Sequence, residues 1–210
     1  MQRADLIPNV ETLQPARRLV PMLAPAWSGF PSALTSLFGR GEEIAQVSAL
    51  LRDSQQRLVS LLGPGGVGKT RLAIAVAENV VAAFPDGSTF VQLAPLSNPD
   101  EVPAAVATTL GVVSHPDLTT IQSIVAALQD RRSLLILDNL EHLHSRVMAD
   151  FVLELLEHCP QLTVLITSRE PLRVAREQRY LTPPLHTLTA EQAAHALADL
   201  PALQLFVARA

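Results

Sequence analysis

The chain has 210 residues, of which 48% are hydrophobic and 17% are charged, and its formal net charge is −4. This composition indicates a folded globular domain and excludes a disordered chain, and the negative charge excludes a chain-wide basic surface for nucleic acid. A single cysteine, Cys159, excludes an internal disulfide and favours a reducing, cytoplasmic location. No apolar run reaches the roughly 18 residues that span a bilayer, and residues 1–20 lack the apolar core of a signal peptide.

The N-terminal stretch differs from the rest of the chain in its proline content. Residues 1–36 contain five prolines, which remove backbone donors and interrupt helices. We therefore expect an extended leader over 1–36, followed by an organised domain over 37–186.

Apolar spacing within that domain predicts helices and strands in alternation. Helical spacing covers residues 42–53, 69–84, 98–111, 121–128 and 145–158. Short apolar runs typical of buried strands cover residues 57–62, 88–93, 133–137, 162–167 and 180–185. This alternation predicts an α/β fold in which a five-stranded parallel sheet carries helices on both faces.

The turn between the first strand and the following helix reads GPGGVGKT at residues 63–70 and fits the P-loop pattern G-x-x-x-x-G-K-[ST] at every fixed position. Glycines permit unusual backbone dihedrals and leave no Cβ in the way, so several N–H groups can approach a phosphate. Lys69, the only lysine beside fifteen arginines, is expected to reach the β- and γ-phosphates, and Thr70 is expected to ligate Mg²⁺. The predicted nucleotide-binding residues of this segment are Gly63, Pro64, Gly65, Gly66, Val67, Gly68, Lys69, Thr70 and Arg71.

The third predicted strand is followed by a carboxylate, Asp138, which comes after four apolar residues. At the carboxyl edge of a parallel sheet this group would lie beside the P-loop, where it can hold Mg²⁺ directly or through water. Asn139 follows, and an amide can orient a water molecule but cannot accept its proton, so we expect slow hydrolysis. Glu141 is either a substitute base or a carboxylate that complements a helix dipole.

The fourth predicted strand places Arg169 at the same edge of the sheet. There it can sense or neutralise a γ-phosphate; the alternative is an ordinary surface arginine. The predicted catalytic set is therefore Lys69, Asp138, Asn139, Glu141 and Arg169.

Four segments in this order and spacing resemble one protein family. They are LTSLFGRGEEI at 34–44, LLGPGGVGKTRLA at 61–73, LLILDNLEHL at 134–143 and TVLITSREPLRV at 163–174. The set resembles the nucleotide-binding domain of the STAND ATPases, which is NB-ARC- and AAA-like, and is most similar to that of large LuxR-type and SARP-type bacterial transcriptional regulators. The resemblance covers residues 34–210.

The resemblance implies the strand order 5-1-4-3-2 and an adenine nucleotide, ATP or ADP, as the ligand. It implies that Phe38, Gly39 and Arg40 contact the adenine and the nucleotide. Arg169 corresponds to the family's sensor arginine, and Pro183 or Pro184 to a proline that packs near the base. Residues 187–210 correspond to the start of a helical lid domain, which we expect to be truncated here.

These features together favour a switch module that binds Mg-ATP or ADP and hydrolyses ATP slowly, within a signalling or transcriptional regulator. Two alternatives remain open: an ATPase whose turnover is itself the output, and an interaction fragment that binds no nucleotide. The expected partners are the nucleotide and either other proteins or further copies of the chain. Neither a membrane nor direct contact with DNA is expected.

Overall fold

Six strands, all parallel, form the central sheet of the computed structural model, which describes residues 27–31, 37, 39–113, 116–143 and 145–184. The strands are β1 (Trp27–Ser28), β2 (Leu58–Leu62), β3 (Ser88–Gln92), β4 (Leu134–Asp138), β5 (Thr163–Ser168) and β6 (Gln178–Leu181). Their order across the sheet is β1-β3-β4-β5-β2-β6. The five strands from β2 to β6 follow the predicted order, so the predicted P-loop α/β fold is confirmed.

The sixth strand, β1, is a correction to the predicted count of five. Trp27 and Ser28 lie inside the stretch expected to be an extended leader, and they pair with Ser88 and Thr89 of β3. A two-residue strand is too short to produce an apolar pattern in the sequence. Aromatic packing holds it against the sheet, because the Phe30 ring lies 4.4 Å from Trp27 and 5.4 Å from Phe90 of β3, measured between ring centroids.

Five α-helices cover the two faces of the sheet in the described part of the chain. They are α1 (Gly41–Arg52), α2 (Lys69–Asn79), α3 (Val102–Leu110), α4 (Thr120–Leu128) and α5 (Arg146–His158). Successive strand residues point to opposite faces, so Leu135 and Leu137 of β4 pack with α3, α4 and α5, whereas Leu134 and Ile136 pack with α1 and α2. Both core clusters are apolar, which explains why the strands read as continuous hydrophobic runs.

The helix predicted over residues 69–84 is shorter in the structure than its apolar pattern indicated. Helix α2 ends at Asn79, and a short 3-10 turn (Val81–Ala83) follows it. The Arg52 guanidinium at the end of α1 donates to the Asn79 carbonyl oxygen at 2.9 Å and so caps the last turn of α2. Phe84 is nevertheless buried beyond the helix end, which accounts for the longer pattern.

A buried carboxylate organises the loop between β5 and β6. The Glu177 side chain is fully buried, and its Oε1 accepts hydrogen bonds from Ser60 Oγ and the Leu172 N–H, both at 2.7 Å. Its Oε2 accepts from the Arg173 N–H at 2.9 Å and from Arg179 Nε at 3.2 Å. Four donors thus stabilise one buried charge and fix the loop that begins at Arg169.

The predicted lid segment, residues 187–210, lies outside the described residues, as does residue 185 at the end of the fifth predicted strand. Among the residues that are described, no helix combines the length and the apolar character needed to cross a membrane.

Candidate functional site

The predicted site residues meet at one edge of the sheet, because parallel strands present their carboxyl ends on the same side. The P-loop (63–70) follows β2, Asp138 ends β4, and Arg169 follows β5. Strands β2 and β4 both pair with β5, so all three segments are neighbours. Ligands of open α/β sheets bind at this edge.

The P-loop backbone uses its glycines in conformations that other residues rarely adopt. Gly66 has φ of 78° and Gly68, the N-cap of α2, has φ of 96°. A Cβ at either position would meet nothing within 4 Å, so the space on that side of each glycine is open. The first helical hydrogen bond of α2 runs from the Leu72 N–H to the Gly68 carbonyl, which leaves the N–H groups of Lys69 and Thr70 without an intrahelical acceptor. N–H groups at the start of a helix are donors that bind an anion.

Lys69 is the buried cation of the site. Its side chain lies within the loop, where Nζ donates to the carbonyl oxygens of Gly63 at 2.9 Å and Pro64 at 3.1 Å. The residue is only 8% exposed. Within the described part of the chain, no carboxylate lies within ion-pair distance of it.

Asp138 is the buried anion of the site, with an exposure of 3%. Its Oδ1 accepts hydrogen bonds from Thr70 Oγ1 at 2.8 Å and from Thr167 Oγ1 at 2.6 Å. Both donors are neutral hydroxyls, and no basic side chain in the described ranges pairs with this carboxylate. Carboxylate and hydroxyl oxygens are ligands that Mg²⁺ accepts, so Thr70 and Asp138 fit that metal.

Asn139 has a structural reason for its identity. Its φ is 67°, in the left-handed region where asparagine is several-fold enriched over other non-glycine residues. Its N–H donates to Thr167 Oγ1 at 2.9 Å, which ties the turn after β4 to the end of β5. Thr167 thus ties both Asp138 and Asn139 to the end of β5, a role that no pattern in the sequence predicted.

Arg169 and Glu141 form an ion pair across the two neighbouring strand ends. Arg169 Nε lies 3.1 Å from Glu141 Oε1. The second oxygen of Glu141, Oε2, is buried and has no hydrogen-bond partner in the described structure. The guanidinium also lies against the P-loop, since a Cβ at Gly65 would stand 3.1 Å from Arg169 Nη2. These two members of the predicted catalytic set are therefore in direct contact, and Arg169 lies close to the loop.

Arg40 contacts protein oxygen atoms in this structure. It is 2% exposed, and its guanidinium donates to the Glu43 carboxylate and to the backbone carbonyls of Val67 and Pro183. Gly39 beside it has φ of 67°. Phe38 lies outside the described residues.

Two further predicted contacts flank the loop. Arg71 lies in the first turn of α2, and Pro184 is exposed just beyond β6. Their contacts with a nucleotide stay predictions, as do those of Gly39 and Arg40.

Comparison with known proteins places this geometry in context. Residues 52–175 match the model of a family described as an AAA domain. A Mycobacterium tuberculosis protein named as a candidate HTH-type transcriptional regulator is 45% identical over 130 residues, which cover 62% of this chain and 14% of that protein. An uncharacterized protein of the same organism is 38% identical over 177 residues, covering 84% of this chain and 42% of that one. Regulatory protein AfsR of Streptomyces griseus is 30% identical over 170 residues, covering 77% and 16%. The chain spans less than half the length of each of these relatives.

Solved structures with a similar fold include Cdc6p from Pyrobaculum aerophilum, with a TM-score of 0.52 and 16% identity over 72% of this chain and 48% of that one. The Drosophila ORC bound to DNA gives a TM-score of 0.53 and 15% identity over 71% of this chain and 44% of the other. At these identities the likeness concerns the fold alone.

Proposed function

The chain belongs to the AAA domain family, and from that premise we propose that its P-loop and Asp138 bind Mg-ATP or Mg-ADP as a slowly hydrolysing switch. The observation that carries this proposal is the burial of Lys69 without a negatively charged partner in the described structure. Lys69 is 8% exposed, and within the described structure its ammonium group donates only to neutral carbonyls, which lack the negative charge that would offset its burial. A phosphate group in the open space beside Gly66 and Gly68 would supply that charge.

The same reasoning applies, with opposite sign, to the magnesium site. Asp138 is a buried carboxylate stabilised by two hydroxyls, and a divalent cation beside it would offset its charge. Thr70 and Asp138 would hold Mg²⁺, and the metal when bound supplies neutralisation of the phosphate charge. The chain's own residues bind and orient the phosphates through Lys69 and the N–H groups at the start of α2.

Slow hydrolysis follows from the residue after Asp138. Asn139 cannot accept a proton from water, and its left-handed backbone already accounts for an asparagine at this position. The site would therefore leave bound ATP unhydrolysed for long periods, which suits a switch better than a turnover enzyme.

A turnover ATPase is the second candidate, and Glu141 favours it. Its buried Oε2 has no partner in the described structure, so it is a carboxylate oxygen that can accept a proton. The ion pair with Arg169 holds the other oxygen at 3.1 Å. Steady-state phosphate release separates the two candidates: turnover that Glu141→Gln abolishes would favour the enzyme, and negligible release by the parent chain would favour the switch.

The biological role is inferred from the names of relatives. Two of the similar proteins are named as regulators, one of them as a transcriptional regulator of the HTH type. We infer that the nucleotide switch serves signalling or transcriptional control, through protein partners or through self-association.

The magnesium-dependent binding is tested with a fluorescent ATP analogue, titrated with and without EDTA. Thr70→Val removes the hydroxyl beside Asp138 and is expected to lower affinity in Mg²⁺ but to have little effect in EDTA. Thr108→Val is the matched control, because that exposed hydroxyl donates only to the Ala104 carbonyl on α3. Equal affinity of parent and Thr70→Val in Mg²⁺ would contradict the proposed metal site.

A further inference from the structure

Arg40 is a charged residue with almost no exposure, and its hydrogen bonds go to three separate parts of the chain. Nη1 donates to Glu43 Oε1 and to the Pro183 carbonyl oxygen, each at 2.7 Å. Nη2 donates to the Val67 carbonyl oxygen at 3.0 Å. A buried guanidinium is costly unless its donors are paired, and here the pairs join α1, the P-loop and the chain that leaves β6.

We propose that Arg40 is a positioning residue of the P-loop, which holds the Val67–Gly68 peptide so that the Gly68 N–H faces the phosphate side of the loop. The inference rests on the proposed function, because it concerns how the same site binds phosphate. Arg40 would then act on the phosphate site through the backbone of Val67, and this role is separate from the predicted contact of Arg40 with the nucleotide.

The peptide geometry gives the first step of the argument. The structure contains no cis peptide bond in its described residues, and in a planar trans peptide the C=O and the following N–H point in opposite directions. When the Val67 carbonyl is directed to Arg40, the Gly68 N–H is directed away from Arg40. Gly68 can adopt the required φ of 96° because it has no Cβ.

The chain leaving β6 gives the second step. The Thr182 N–H donates to the Leu62 carbonyl oxygen at 2.7 Å, which places this segment beside the start of the P-loop. The Thr182 carbonyl oxygen would lie 3.3 Å from a Cβ on Gly63. Arg40 joins the next residue, Pro183, to the far side of the loop at Val67. The exit from β6 is therefore packed against Gly63 and fastened to Val67.

The choice of arginine gives the third step. A guanidinium presents donors in a planar fork and can reach two carbonyls and a carboxylate at once, whereas an ammonium is a compact point charge. Glu43 lies one turn further along and balances the charge of Arg40, with 13% side-chain exposure. A lysine would keep the charge pair with Glu43 but would lose at least one of the two carbonyls.

The test compares Arg40→Lys with Arg52→Lys in the full chain. Arg52 also donates to a backbone carbonyl, that of Asn79, but it is exposed, and its hydrogen bonds in the described structure go to Asn79, outside the P-loop. Two quantities are measured: the dissociation constant for Mg-ATP, and the amide chemical shift and exchange rate of Gly68 in the nucleotide-free protein. We expect Arg40→Lys to weaken binding about tenfold and Arg52→Lys to change it less than about twofold. We also expect the Gly68 amide of the free protein to change only in Arg40→Lys.

Each other result counts against the inference. Weaker binding with an unchanged Gly68 amide would mean that Arg40 contacts the nucleotide directly, and an altered amide with unchanged affinity would mean that the peptide orientation is irrelevant to binding. If Arg40→Lys fails to fold, the double variant Arg40→Gln/Glu43→Gln leaves no buried charge unpaired and serves the same comparison. If the parent chain binds no Mg-ATP, the proposed function fails, while the Gly68 amide still decides whether Arg40 holds the peptide.

Discussion

Replacing Thr167 with valine tests whether its hydroxyl holds the acidic end of β4 in place. The substitution keeps the branched shape but removes two hydrogen bonds, the one donated to Asp138 at 2.6 Å and the one accepted from the Asn139 N–H at 2.9 Å. A hydrogen bond to a charged group contributes about 1.5–3 kcal/mol, and a buried N–H left without an acceptor costs about 1–3 kcal/mol. The lower ends of both ranges apply, because the Asn139 N–H is only partly buried and Asp138 keeps its hydrogen bond from Thr70. The expected loss of unfolding free energy is therefore about 2.5 kcal/mol.

Thermal and urea unfolding of Thr167→Val measure this loss. For a chain of this length, about 2–4 °C of melting temperature corresponds to each kcal/mol, so we expect a fall of about 5–10 °C. Thr167→Ser keeps the hydroxyl and is the matched control, expected to retain most of the lost stability. If the unfolding free energy of the valine variant lay within about 0.5 kcal/mol of that of the parent, the claim that this hydroxyl holds Asp138 and Asn139 in place would be refuted.

Two further predictions concern groups away from the P-loop. Glu177→Gln turns one acceptor oxygen into a donor that faces two other donors, so the unfolding free energy should fall by about 2–4 kcal/mol. Denaturant titration measures this fall, and an unchanged unfolding midpoint would contradict the arrangement of four donors around Glu177. Burial raises the pKa of the Cys159 thiol from 9.0 to about 11, against a smaller lowering by Arg57. The unfolded thiol therefore ionises near pH 9 and the folded one near pH 11, so stability should decline between these values more steeply in the parent than in Cys159→Ala. Parallel pH profiles of the two proteins would contradict the shift.

The parts of the site that could be predicted are those carried by local spacing. The P-loop depends on eight consecutive residues between a strand and a helix, and Asp138 on one carboxylate after an apolar run. Both positions are defined by neighbours in sequence, and the strand order that brings them together follows from the family resemblance.

The parts that could not be predicted depend on contacts between distant residues. The Arg40 guanidinium reaches Pro183 across 143 positions, and Arg169 reaches Glu141 across 28. No spacing rule encodes such pairs, so the family resemblance alone assigns Arg40 to the nucleotide, and Glu141 stays open between two roles. The backbone conformation of Asn139 could not be predicted either, since its left-handed φ of 67° is a property of the folded turn.

Calorimetric titration of the chain with Mg-ATP and Mg-ADP, beside the same titration of Lys69→Ala, tests the central claim most directly. The account predicts saturable binding by the parent chain with one site, and loss of that binding when the buried ammonium is removed. Absence of binding by the folded parent, or undiminished binding by Lys69→Ala, would contradict it.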